Sequence, residues 1–123
     1  MKFVSTIILL ATLFGLATTV QGQTAQFFDD SKCSVNGSAP LNFFLGTGCL
    51  SNQGGRGSVF FSGPVGETTP YCGITTSNDQ RCSCRSKVQK FVPTGFCYQL
   101  NRKDKSYEIE PADLQGNCPA PNC

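Results

Sequence analysis

Eight cysteines in a short chain, none adjacent to another and two of them one residue apart, constrain the fold more than any other feature. They stand at Cys33, Cys49, Cys72, Cys82, Cys84, Cys97, Cys118 and Cys123. An even count in a small chain that enters the secretory route reads as a disulfide framework. Each bridge contributes roughly 2–4 kcal/mol, so four together match the net stability of an ordinary domain, about 5–15 kcal/mol. A domain of this size buries only a modest share of its surface, and the bridges are expected to decide whether it folds. Spacing does not reveal which cysteine meets which, because eight allow on the order of a hundred pairings.

The closest pair, Cys82-Ser83-Cys84, lies within Arg81–Lys87. If that stretch is extended and runs on to Phe91, Cys82, Cys84, Ser86 and Val88 share one face. Arg81, Ser83, Arg85, Lys87 and Gln89 share the other. A bond between Cys82 and Cys84 is strained by the residue between them, so each is expected to pair elsewhere. The strand would then send two cysteines inward and show Arg81, Arg85 and Lys87 outward, opposed by Glu108 and Glu110. Those cations are candidates for recognising sulfate, phosphate or an acidic glycan, against the plainer reading of a solvated strand face. A thiolate metal site belongs to a reducing compartment, so no metal or other cofactor is expected.

The address is read from the start of the chain. Lys2 precedes an almost wholly apolar or small run to Val20, and Val20-Gln21-Gly22 offers a signal-peptidase exit. Residues 1–22 are read as a signal peptide and 23–123 as one secreted domain. No later stretch is long and apolar enough to serve as a stable membrane anchor. Asn36-Gly37-Ser38 matches the N-glycosylation acceptor pattern within a turn-rich segment.

Along the secreted part, short β-type runs alternate with Gly, Pro, Asn and Ser turns, and no helical periodicity persists. Runs at 41–45, 58–61, 69–76, 81–91, 96–100 and 106–110 read as strands. The last three, joined by short turns, look like a β-meander. In the last two, Phe96, Tyr98, Leu100, Tyr107 and Ile109 take the apolar face. Pro111–Leu114 reads as one helical turn stopped by Gly116. The expected fold is a small disulfide-rich all-β domain, a β-meander, small sandwich or barrel. An α+β version with one short helix is the alternative.

Composition removes several functions. Lys and Arg number 10 against 8 Asp and Glu, and loss of Lys2 with the signal leaves the domain near neutral. Nucleic acid and anionic membranes demand far more positive charge. The chain has no His, which removes the usual general base and the commonest metal ligand. No enzyme is expected. The doublets Phe43-Phe44 and Phe60-Phe61, on strands, would each turn one ring to the core and one away. The outward ring is either covered by a second layer or part of an apolar patch that receives a partner. Phe43, Phe44, Phe60 and Phe61 therefore join Arg81, Arg85 and Lys87 as candidate binding residues.

The signal ending Val20-Gln21-Gly22, the eight cysteines, the Gly/Ser/Thr/Asn turns and the lack of a catalytic motif together resemble the small secreted cysteine-rich proteins of filamentous fungi, many of them effectors. The resemblance covers the whole chain and is to a class, with no motif from which site residues carry over. It implies a monomeric extracellular protein, active at a host interface in the apoplast, associated with virulence and working by binding a host extracellular protein or glycan. An antimicrobial or killer-type toxin and a glycan-binding module are the alternatives.

Overall fold

Strict alternation builds the inner layers of this protein. In Ser58–Ser62, Val59 and Phe61 are buried in the core while Phe60 turns away; in Ser106–Pro111, Tyr107 and Ile109 do the same. A side-chain period of two allows only this division. The computed structural model describes residues 22–52 and 54–123, so all of the signal segment read at 1–22 except Gly22 lies outside the described residues. Eight strands run in chain order: β1 Thr24–Phe28, β2 Leu41–Asn42, β3 Cys49–Ser51, β4 Ser58–Ser62, β5 Tyr71–Thr76, β6 Lys87–Phe91, β7 Phe96–Gln99 and β8 Ser106–Pro111.

They form two four-stranded antiparallel sheets, ordered β2-β1-β4-β7 and β3-β8-β5-β6. Facing each other, these make a small sandwich with an aromatic interior. Phe43 meets the Phe61 and Tyr71 rings edge-on, and Phe61 stacks on Phe91 with centroids 4.2 Å apart. Edge-to-face and offset contacts of this kind add to area burial because ring quadrupoles attract.

The all-β expectation is met, with a sandwich as its form. The described residues contain no helix. At 111–114 the chain leaves β8 into a turn: Asp113 Oδ1 accepts the Gln115 and Asn117 amides, and Gly116 takes φ +77°. Side-chain capture of backbone donors competes directly with a helical turn.

Three expectations are corrected. Strands β6, β7 and β8 are not a meander, because successive strands lie in opposite sheets: β7 pairs with β4, while β6 and β8 flank β5. The inward faces of β7 and β8 are both apolar, and a sandwich satisfies them as well as a meander does. The strand read at 41–45 stops at Asn42, whose Oδ1 accepts the Phe44 amide and begins a turn closed by Gly46 N–H donating to the Phe43 carbonyl. The stretch 81–91 is extended only from Lys87. Cys82 sits at φ 55°, in the left-handed region, which ends any strict alternation of faces through it.

The bridges pair Cys33–Cys97, Cys49–Cys82, Cys72–Cys118 and Cys84–Cys123, so the two neighbouring cysteines do have separate partners. The last three hold the 77–86 loop and the C-terminal tail over the outer side of the β3-β8-β5-β6 sheet. The first holds the 29–38 loop against the other sheet. It also closes the longest separation, 64 residues. Replacing Cys33→Ser together with Cys97→Ser is expected to lower stability by about 2–4 kcal/mol. A urea midpoint measured on oxidised residues 23–123, with the other bridges mapped intact, checks this.

Candidate functional site

Antiparallel pairing places the loops at two ends of the sandwich. At one end Thr24 lies opposite both Asn42 and Ser62, and Tyr71 opposite both Phe91 and Pro111. Loops 43–48, 63–70, 92–95 and 112–117 therefore emerge together. Hydrogen bonds tie them: Ala112 N–H donates to the Pro70 carbonyl, Thr47 N–H to that of Ile109, and Gln23 Nε2 to the Glu67 carboxylate.

This end carries four of the five large apolar side chains that face solvent among the described residues. Phe44 is 56% exposed and Leu45 87%, while Val65 and Leu114 are fully exposed. The fifth, Val35, is in the 29–38 loop at the opposite end. A single exposed leucine needs no explanation; here four large apolar side chains from three loops project at one end.

Each tip is displayed by turn chemistry. Leu45 precedes Gly46, held at φ +94°. Val65 stands between Pro64 and Gly66, and Gly66 has φ +80°. Glu67 anchors the Val65 loop: its Oε1 accepts the Thr68 and Thr69 amides at 3.0 and 2.8 Å. The Thr69 hydrogen bonds, with those of Gln23 and Thr68, hold its carboxyl below the usual glutamate value. Leu114 rides on the turn that Asp113 caps.

The opposite end is cationic. Loops 29–38, 52–57, 77–86 and 100–105, with the first residue of β6, carry Lys32, Arg56, Arg81, Arg85, Lys87, Arg102, Lys103 and Lys105 against Asp29, Asp30, Asp79 and Asp104, a net excess of cations. Only Lys90 among the described cations lies toward the apolar end, where Glu67, Glu110 and Asp113 are found. Near-neutral total charge thus conceals a polarised molecule.

Arg81, Arg85 and Lys87 do not form the single outward face expected of them. Arg81 is exposed in the loop. Arg85 holds the tail instead: its N–H and Nε donate to Asn122 Oδ1 and the Ala120 carbonyl, and its own carbonyl accepts from Asn122 and Cys123. Lys87 stands on the inner-face side of β6 but stays exposed at the sheet edge, its ammonium 5.7 Å from the centre of the Tyr98 ring. Neither Glu108 nor Glu110 opposes them as a salt bridge; the ion pair among the described residues is Arg56–Asp29 at 2.9 Å.

The phenylalanines divide one in, one out, as expected. Phe43 and Phe61 are core residues, and Phe60 is half-buried on an outer face opposite Cys97. Phe44 alone of the four stands mostly in solvent. Val65 and Leu114 escape a search for strand periodicity because they lie in turns, and Leu45 escapes it because a strand over 41–45 would put it on the same face as Phe43. A large apolar residue flanked by Pro, Gly or Asp turn formers is the signal that finds them.

Asn36 is exposed at φ 52°, with Nδ2 donating to Asp29 Oδ2 and its carbonyl accepting from Arg56. Carboxylates elsewhere are occupied in the same way: Asp30 receives the Ser34 and Val35 amides, and Asp79 those of Arg81 and Ser83. Among the described residues no group of three or more His, Cys, Asp or Glu converges as a metal site. No protein-family model, curated protein or solved structure matches this chain.

A group with a depressed folded pKa stabilises its surroundings above its unfolded value and ceases to as pH falls through the folded one. The Val65 loop is accordingly expected to be held at neutral pH and released below the ordinary glutamate value of 4.5. Amide chemical shifts of Thr68 and Thr69 tracked from pH 7 downward are expected to move together below that value, and Glu67→Gln is expected to abolish the transition.

Proposed function

We propose that this chain is a secreted binding protein that acts at a host interface as an effector, using the apolar end of the sandwich as its recognition surface and performing no catalysis. The observation carrying this reading is the projection of Phe44, Leu45, Val65 and Leu114 from three loops at one end. Four disulfides in so small a domain fit an oxidising, extracellular setting, and no helix among the described residues is long and apolar enough to cross a membrane. Bridges and short turns suit a protein that must keep its shape among extracellular proteases.

The neighbouring charges narrow the partner. Glu67, Glu110 and Asp113 near the tips favour a protein with an apolar recess and a basic rim over an anionic membrane. The turns that display the tips are held by local hydrogen bonds, so little ordering opposes binding.

The oxidised mature protein is expected to retain a protein from host extracellular fluid. Phe44→Asp combined with Leu45→Asp is expected to weaken that complex at least about tenfold, a loss on the order of 1.4 kcal/mol, while Val35→Asp at the far end leaves it unchanged. Binding assays with the captured partner and purified variants check this. Equal effects at both ends would sink the assignment, and sedimentation with neutral lipid vesicles in place of protein capture would favour the toxin reading.

A further inference from the structure

The inner face of the β3-β8-β5-β6 sheet changes character along its length. Across β6, β5 and β8 the first row is Phe91, Tyr71 and Pro111, and the second is Gln89, Gly73 and Ile109. The third is Lys87, Thr75 and Tyr107. The aromatic cluster fills the first row. Beside it, Gly73 has no side chain and Gln89 is polar, so the two sheets leave a slot of about 40 Å³ that opens at the β6 edge, where Lys87 and Gln89 are exposed. Its walls include Val59, Gly73, Thr75, Tyr98, Leu100 and Tyr107. This exceeds the roughly 10–15 Å³ that one water requires.

Thr75 Oγ1 is buried there without a hydrogen-bond partner among the described residues. Buried hydroxyls are normally satisfied, and no described protein group fills that role for Thr75, so its hydroxyl is free to pair with a polar group that enters the slot. The slot meets a hollow of about 240 Å³ that shares Thr75, Lys87, Tyr98 and Leu100 and adds Ser77, Ser86, Asn101 and Asp104. Lys87 therefore stands where the apolar interior meets a polar vestibule. Lys103 borders the adjoining surface; the carboxylates here are Asp104, in the hollow, and Glu108, which lines the slot, and neither forms a salt bridge with Lys87. Inward-pointing lysines do protect exposed sheet edges. Edge protection explains Lys87, but not the unfilled slot or the orphan hydroxyl beside it.

We propose that the opening between edge strands β6 and β7 is a binding site for a single-chain aliphatic carboxylate, its alkyl end in the slot, its headgroup at Lys87 and within reach of the Thr75 hydroxyl. The apolar wall selects the chain, and the cation at the mouth selects the sign of the head. This site is separate from the exposed loop tips and does not depend on their role.

The probes are sodium hexanoate and octanoate, with 1-octanol and octylammonium as neutral and cationic counterparts, titrated into the oxidised mature protein by NMR. Octanoate is expected to shift the Gly73, Thr75 and Tyr98 amides saturably. It should bind more tightly than hexanoate, by about fourfold per methylene while the slot has room. Lys87→Met is expected to weaken octanoate about tenfold and leave octanol unchanged. Asp104→Asn is expected to strengthen octanoate. Gly73→Ala adds a Cβ that meets nothing closer than 3.7 Å, so it keeps the fold while narrowing the slot, and it should weaken octanoate and octanol alike. Absence of saturable shifts at millimolar octanoate would overturn the proposal. So would tighter binding of octylammonium, equal loss of octanoate and octanol in Lys87→Met, or shifts confined to Phe44 and Leu45.

Discussion

Disulfide anchoring of irregular chain to the outsides of the sheets is the constraint on which the rest of this structure depends. Three bridges join a loop or the tail to a strand: Cys33 to Cys97, Cys82 to Cys49, and Cys118 to Cys72. The fourth, Cys84–Cys123, joins the loop to the end of the tail. Short strands alone bury one face each. With the 29–38 loop on one outer side and the 77–86 loop and tail on the other, those outer sides are covered too, and Cys72, Thr76, Ser58 and Ser106 become buried. Polar groups buried this way are satisfied by the covering segments: Thr76 Oγ1 donates to the Cys84 carbonyl, Ser106 Oγ to that of Asp79, and Ser58 Oγ to that of Asp30. Covalent anchoring and these hydrogen bonds support each other, since a buried hydroxyl is stabilising only while its partner stays in place.

Anchoring also divides labour along the sandwich. One end and both outer sides are committed to holding the molecule together, and there the cations and carboxylates serve as struts and turn acceptors. Arg85 and Arg56 illustrate this, each fastened to backbone carbonyls of distant segments. The remaining end is left with short turns whose apolar tips have nothing in the chain to pack against. Between the sheets, the aromatic cluster packs tightly around Phe43, Phe61 and Phe91 and leaves a small slot beside Gly73 and Thr75. Rigidity supplied by bridges removes the need for a uniformly filled core.

The class of fold is legible in the sequence because its signals are local. Alternation over 58–61, 96–100 and 106–110 identifies the strands and the faces they bury, and the near absence of helical period excludes a helical domain. The candidate site is far less legible. Phe44 is marked through its doublet, yet Val65 and Leu114 are not, because exposure in a turn leaves no periodic trace, and Leu45 is hidden by a strand reading that the chain breaks off at Asn42. Arg81, Arg85 and Lys87 look like one face only under the assumption of continuous extension, which the left-handed backbone at Cys82 breaks.

By itself the amino-acid sequence determined the features set by neighbours a few residues apart: strand runs, turns, the separation of Cys82 from Cys84 in pairing, and an even set of cysteines suited to an oxidising compartment. Only the tertiary structure decided which strands adjoin, which cysteines meet, and which apolar side chains are left without cover. These depend on contacts between residues tens of positions apart. The Cys33–Cys97 bridge and the Phe43–Tyr71 ring contact are two of them. Period-two alternation specifies a buried face but not the sheet against which it is buried, so β6, β7 and β8 fit a meander and a sandwich equally until the whole chain is packed.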